Sequence, residues 1–211
     1  MTHKDKFVSL IEQVADGGSK QQVFNDFLKI AATSLARFDD SDDTVKQERE
    51  KIFLETIGRY NGEKKNLFVD MLAELGSALN ESAYCDVLGD VFQKSNFNEQ
   101  KGGQVFTPQH KGDLMGELAL DKDFVQSEIQ RRGYISIIEP CCGSGAITLG
   151  AINALAKIGV NPRCQCAVFA YDLDERCILM AYIQFKLYGI PAIVMLRNAL
   201  TDEVFGAAWK T

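Results

Sequence analysis

The chain has 211 residues, enough for one ample domain or two small ones, and its 46% hydrophobic and 25% charged content is ordinary for a globular protein. No apolar run is uniform enough to span a membrane, and the start, Met1-Thr2-His3-Lys4-Asp5-Lys6, lacks the apolar core of a signal peptide, so a cytoplasmic protein is expected. The net charge of −6 comes from residues 1–100, with 12 basic and 18 acidic side chains; residues 101–211 balance at 11 of each, without the basic excess of a protein that grips nucleic acid alone.

The first hundred residues predict helices separated by turn signals. Phe7, Leu10, Ile11 and Val14 recur at helical spacing, and Asp16-Gly17-Gly18 stops that helix. Ser19 suits the cap of the next, which carries Val23, Phe27, Ile30, Ala31 and Leu35. The acidic stretch Asp39-Asp40-Ser41-Asp42-Asp43 predicts a solvated turn before a helix with Ile52, Phe53 and Ile57, and Asn61-Gly62 is expected to break that helix. Two further stripes follow, Leu67, Phe68, Met71, Leu72, Leu75 and Leu79, then Tyr84, Val87, Leu88, Val91 and Phe92. Together they predict a helical bundle over residues 1–97.

Residues 98–211 read differently. After a polar, glycine-containing stretch, Thr107-Pro108 predicts a helix start with Thr as cap and Pro at the first helical position. Strands are predicted over Tyr134–Ile138, Gln165–Tyr171 and Ala192–Leu196, with helices over Ala146–Ile158 and Glu175–Tyr188 between them. Alternation of this kind predicts an α/β fold, a parallel sheet with helices packed on it behind the helical bundle. The six cysteines, Cys85, Cys141, Cys142, Cys164, Cys166 and Cys177, have no C-x-x-C spacing and only His3 and His110 to join them, so packing is expected rather than metal or disulfides.

The segment richest in chemistry is Glu139-Pro140-Cys141-Cys142-Gly143-Ser144-Gly145, between the first strand and its crossover helix. Ligands of open α/β sheets bind at strand carboxyl ends, and glycines let a ligand approach the backbone at a helix N-terminus. A dinucleotide fingerprint would need a third glycine where Thr148 stands, which disfavours NAD. Glu139 would repel a pyrophosphate but suits a ligand with an ammonium and a sulfonium, as in S-adenosylmethionine. In Tyr171-Asp172-Leu173-Asp174, Asp172 is placed to accept from ribose hydroxyls, with Leu173 beside the adenine and Asp174 as a helix cap. Asn198 can pair with the adenine edge or simply end a turn.

Two motifs in this order carry a resemblance. Gly103-Gln104-Val105-Phe106-Thr107-Pro108 resembles the Gly-Gln-x-Phe-Thr-Pro segment of N6-adenine DNA methyltransferases, especially the modification subunits of type I restriction-modification systems. Glu139-Pro140-x-x-Gly143-Ser144-Gly145 is similar to that family's acidic-Pro-x-x-Gly-Ser-Gly loop, and Asp86-Val87-Leu88-Gly89-Asp90 resembles its N-terminal domain. The resemblance implies a partial Rossmann-like methyltransferase domain over residues 98–211, with an S-adenosylmethionine site built from Val105, Phe106, Thr107 and Pro108 at the amino-acid end. Glu139, Pro140, Cys141, Gly143, Ser144 and Gly145 join them from the loop, and Asp172, Leu173 and Asn198 from the later strands.

One departure is large. The family's catalytic Asn/Asp-Pro-Pro-Tyr/Phe requires adjacent prolines, whereas Pro108, Pro140, Pro162 and Pro191 all stand apart, so no catalytic residue is assigned. The expectation is therefore a homologue or fragment that reaches DNA through a partner subunit or through missing sequence. That partner would be a second copy of the chain, in a homo-oligomer, or a methyltransferase chain. The alternatives are a catalytically inactive homologue that regulates or partners a DNA methyltransferase, and, third, an NAD-dependent oxidoreductase.

Overall fold

Local signals start and stop most helices of the computed structural model, which describes residues 1–37, 42–95 and 106–211. Helix α1 (His3–Ala15) opens on a reciprocal capping box between Thr2 and Asp5 and ends at Asp16, whose backbone is left-handed. Ser19 caps α2 (Lys20–Ala36) and Asp42 caps α3 (Asp43–Ile57). Asn61-Gly62 acts otherwise than expected. Helix α3 has already ended at Gly58, and Asn61 accepts from the Lys64 N–H to begin α4 (Gly62–Glu81), with Gly62 inside its first turn. Asp86 caps α5 (Val87–Lys94). The apolar stripes meet as Phe7 and Ile11 on α1, Phe24, Phe27 and Leu28 on α2, Met71 and Leu75 on α4, and Leu88 and Phe92 on α5, all buried. Removing each such side chain from water contributes about 1.5–3 kcal/mol before chain entropy is counted.

Helix α3 packs Phe53 and Ile57 half-buried against the core and leaves Ile52 exposed. Its buried side chains are Arg49 and Thr56, and the Arg49 guanidinium lies 3.8 Å from the Trp209 ring centroid while donating to the Ala208 carbonyl at 2.9 Å. A cation stacked on an indole thus fastens α3 to the last strand.

Beyond residue 105 come α6 (Gln109–Ala119), α7 (Lys122–Arg132), β1 (Ile135–Glu139), α8 (Ala146–Lys157), the single turn α9 (Pro162–Gln165), β2 (Cys166–Asp172), α10 (Glu175–Tyr188), β3 (Ala192–Leu196) and β4 (Trp209–Lys210). The sheet runs β1-β2-β3-β4, parallel across β1, β2 and β3, with β4 added antiparallel to β3. Parallel register sets Glu139 opposite Ala170 and Asp172 opposite Leu196, so the loops after β1 and β2 leave one edge of the sheet together. The fold class is the expected one: helices first, then a small, mainly parallel α/β sheet.

Two differences have local causes. Helix α6 begins at Gln109, and Pro108, extended at ψ 144°, takes the cap position without a side-chain cap; its carbonyl accepts from the Lys111 and Gly112 N–H groups. Thr107 is therefore outside the helix rather than its cap. Helix α7 has one buried side chain, Val125, so no apolar periodicity marks it, and only the Asp121 cap and the left-handed Gly133 bound it.

Helix α10 joins the two parts. Ten of its 14 residues are buried, because β2 and β3 cover one side while α2, α4 and α5 cover the other. Helices α6 and α8 approach at Gly112, Gly116 and Gly150. A Cβ at Gly150 would lie 2.2 Å from the Gly112 carbonyl carbon and oxygen. Backbone cannot yield there, so Gly150→Ala is expected to destabilise by about 1–3 kcal/mol in denaturant unfolding. Gly76→Ala on α4, where nothing stands within 4 Å, should instead stabilise by about 0.5–1 kcal/mol. Equal effects at the two sites would show that α6 and α8 do not pack this closely.

Candidate functional site

Strand β1 delivers Glu139 to the sheet edge, and Pro140–Gly145 then turn the chain into α8. The Cys142 N–H crosses to the Tyr171 carbonyl on β2 at 2.8 Å, and the Gly145 N–H closes back on the Cys142 carbonyl at 2.8 Å. Gly143 and Gly145 both have positive φ, 53° and 100°. Gly145 also passes the Phe185 ring so closely that a Cβ would sit 3.0 Å from it. These two positions therefore need glycine.

Beside this loop lies a cleft of about 200 Å³ lined by Phe106, Thr107, Cys141, Cys142, Gly143, Ser144, Ala146, Ile147, Asp172 and Cys177. A second cleft of about 550 Å³ shares Phe106 and Thr107 and reaches Pro108, Gln109 and the start of α5. Phe106 is the wall between them, buried and edge-on to Phe92 at 5.2 Å between ring centroids. Ala146 and Ile147 are the first residues of α8, where N–H groups have no intrahelical acceptor and the helix end is partly positive.

Asp172, the last residue of β2, is held at the cleft by two backbone donors. One oxygen accepts from the Gly143 N–H at 2.8 Å and the other from the Asp174 N–H at 3.0 Å. Each oxygen keeps a lone pair for a ligand hydroxyl. Asp174 takes the other role, capping α10 through the Arg176 N–H. Burial pushes the Glu139 carboxyl above the usual range; the Cys141 N–H opposes this and the Asp172 charge adds to it. Burial likewise raises the Cys142 and Cys177 thiols, so both stay protonated and give the cleft a soft, uncharged wall. Among the described residues no group of His, Cys, Asp and Glu is arranged to hold a metal ion, and all six cysteines are free thiols.

Of the residues singled out in the sequence, Phe106, Thr107, Cys141, Gly143, Ser144 and Asp172 meet at the first cleft, and Pro108 lines the second. Glu139, Pro140 and Gly145 shape the turn behind it, and Val105 lies outside the described residues. Leu173 is 60% exposed and is not among the lining residues. Asn198 spends its side-chain oxygen on its own turn, accepting from the Leu200 and Thr201 N–H groups at 2.9 and 3.2 Å. The Ser144 hydroxyl turns inward and donates to the buried Asp86. Cys142, Ala146, Ile147 and Cys177 also line the cleft. The first turn of α8 and the spacing of Cys177 from Asp172 were the available signals for them.

A glycine-rich turn at the carboxyl edge of a parallel sheet, with a carboxylate at the tip of the next strand, is the place at which open α/β folds form their clefts. The family model described as N-6 DNA Methylase matches residues 83–208, well over half of the chain. The chain belongs to the N-6 DNA methylase family. A solved structure, the methyltransferase subunit of a type I restriction-modification system from Streptococcus thermophilus, matches at 21% identity and a TM-score of 0.41 over 88% of this chain and 36% of its own. This chain thus spans about a third of that subunit's length. No curated protein matches the sequence.

Glu139 yields a pH-dependent test. Because its folded-state pKa is raised, its contribution to stability is fully present below the ordinary carboxylate value and is lost as pH rises through the raised value. Glu139→Gln is therefore expected to raise the thermal midpoint of the ligand-free protein at pH 7, and the gain should vanish as the pH falls to about 4. A Gln variant less stable than wild type at pH 7 would show that Glu139 is a structural acceptor instead.

Proposed function

We propose that this chain is the cofactor-binding part of an adenine-N6 DNA methyltransferase of the restriction-modification kind, and that its cleft takes S-adenosylmethionine. One observation carries the proposal: the Asp172 carboxylate, fixed 2.8 Å from the Gly143 N–H, shares a glycine-lined cleft with Phe106 and Thr107 and stands near Glu139. Two neighbouring carboxylates fit a ligand with ribose hydroxyls at one end and cationic groups at the other. They fit a pyrophosphate poorly, and Thr148, 1% exposed, fills the place of the third glycine of a dinucleotide fingerprint. Both observations count against the oxidoreductase alternative.

Bound S-adenosylmethionine supplies a methyl group on a good sulfonium leaving group. In this proposal Asp172 holds the ribose, Glu139 faces the cationic end, Phe106 and Thr107 close one side, and the protonated thiols of Cys142 and Cys177 exclude water. Val105, Pro108, Pro140, Cys141, Ser144 and Gly145 complete the wall or its backbone, while Leu173 and Asn198 would have to turn to reach an adenine. Orienting the acceptor nitrogen in line with the methyl needs a Pro-Pro tetrapeptide that this sequence does not contain. In this proposal DNA is reached through a partner, a second copy or another methyltransferase chain, or through sequence outside these 211 residues, in the cytoplasm. No helix of the described residues is long and apolar enough to cross a membrane. The separate prolines and the net charge of −6 favour, as a second reading, a catalytically silent partner that regulates a DNA methyltransferase.

Calorimetry is expected to show binding of S-adenosylhomocysteine and none of NAD; binding of NAD alone would overturn the proposal. Asp172→Ala should weaken S-adenosylhomocysteine about tenfold to a hundredfold, the worth of charge-assisted hydrogen bonds. It should also destabilise the free protein by about 1–3 kcal/mol, because the Gly143 and Asp174 amides lose their acceptor. In a labelled-methyl assay on mixed-sequence duplex DNA, the chain alone should transfer nothing. Transfer restored by a candidate partner subunit supports the proposal over the silent partner, and transfer by the chain alone refutes the assigned division of labour.

A further inference from the structure

The segment Asp86-Val87-Leu88-Gly89 runs directly behind the glycine-rich loop. Asp86 is 5% exposed and is surrounded by neutral donors. One of its oxygens accepts from the Gly89 N–H at 2.8 Å and from Gln184 Nε2 at 3.0 Å, and the other accepts from the Ser144 hydroxyl. Gln184 of α10, with no exposed surface, completes the net. Its oxygen accepts from the Val87 and Leu88 N–H groups at 2.7 and 3.1 Å, and its Nε2 also donates to the Ser144 carbonyl at 2.9 Å. Ser144, the middle residue of the loop, is therefore gripped at both its hydroxyl and its carbonyl.

The surrounding backbone is shaped for this grip. A Cβ at Gly89 would lie 2.2 Å from the Ser144 hydroxyl oxygen and 2.1 Å from the Asp86 carboxylate, so any side chain there would push the two apart. The Asp86 N–H donates to Gln109 Oε1 at 2.8 Å, which ties the same residue to the start of α6, two positions beyond the cleft-lining Thr107. Burial raises the Asp86 carboxyl, and the donors from Ser144, Gln184 and Gly89 oppose that rise. Capping a helix does not require such burial, since Ser19, Asp42 and Asn61 cap theirs at exposed positions. The buried carboxylate has a second task.

We infer that Asp86 is a positioning residue for the cofactor loop: acting through Ser144 and together with Gln184, it holds the loop from behind so that Gly143 and Gly145 keep their left-handed backbones. The first turn of α5 and the floor of the cleft then form one unit, and loosening either loosens the other. This inference rests on the cofactor site proposed above.

Three variants, Ser144→Ala, Asp86→Ala and Asp86→Asn, test it in the whole chain. The measurements are the thermal midpoint, amide hydrogen exchange at Gly143–Gly145 without ligand, and calorimetric affinity for S-adenosylhomocysteine. Ser144→Ala removes only the loop side of the net and leaves the α5 cap intact. It should lower the midpoint by a few degrees, because the buried Asp86 oxygen loses its donor, and it should bind about tenfold more weakly and exchange faster at the loop. Asp86→Ala should lose at least as much affinity. Asp86→Asn should recover most of it, because its Oδ1 still accepts from Gly89 and Gln184 while its Nδ2 donates to the Ser144 oxygen. Wild-type affinity and exchange in Ser144→Ala would overturn the inference and leave Asp86 as a helix cap. An Asn variant as weak as the Ala variant would overturn it too, since charge rather than positioning would then be the cause. Failure of the wild-type chain to bind S-adenosylhomocysteine would remove the cofactor assignment, and loop exchange in Ser144→Ala would still decide what Asp86 holds.

Discussion

The burial of α10 on two sides is the constraint on which the other arrangements depend. A crossover helix of a parallel sheet ordinarily covers the sheet with one face and shows the other to water. Here α2, α4 and α5 lie on the outer face, so Ile178, Met180, Ala181, Tyr182, Ile183 and Phe185 are all buried. The hydrophobic core is continuous from Phe7 on α1 to Val194 on β3. A loop anchored to α10 is consequently anchored to the helical half as well.

The glycine-rich turn uses that anchorage at three levels. Its own backbone closes locally through Gly145 and Cys142, it crosses to β2 through Cys142 and Tyr171, and it is pinned to α10 and α5 through Ser144, Gln184 and Asp86. Carboxylates occur at two of these levels and do different work. Asp172 organises the turn from the cleft side and keeps lone pairs for a ligand, whereas Asp86 has its oxygens filled from within the fold. Glu139 has less protein support than either, so its charge is costly until a cation approaches.

Helices α6 and α8 add a steric condition. Their glycine contact brings Gln109 and Thr107 close to the start of α8, which puts the Phe106-Thr107 segment across the cleft from Asp172. A single methyl at Gly112, Gly116 or Gly150 would meet backbone within 2.5 Å and move that wall. The chain, a member of the N-6 DNA methylase family, thus has a cleft whose wall and glycine-rich turn are both set by helix packing.

The sequence by itself determined whatever depends on neighbours within about four positions. Ser19 and Asp174 as caps, the stop at Asp16-Gly17, the span Glu175–Tyr188 of α10 and the span Ala192–Leu196 of β3 were all legible, because caps and apolar periods act within one or two turns. The place of the glycine-rich turn between β1 and α8, and of Asp172 at the tip of β2, was legible from the strand and helix patterns around them. Only the tertiary structure decided the rest. Helix α7 had too little buried surface to leave a pattern, β4 is two residues long, and Asn198 turned to its own loop when two backbone N–H groups lay within reach. Most of all, nothing local in Asp86-Val87-Leu88-Gly89 reveals that its carboxylate meets a serine 58 positions away. That contact exists because α10 is buried on both sides, and burial of this kind is a property of the packed chain rather than of any segment of it.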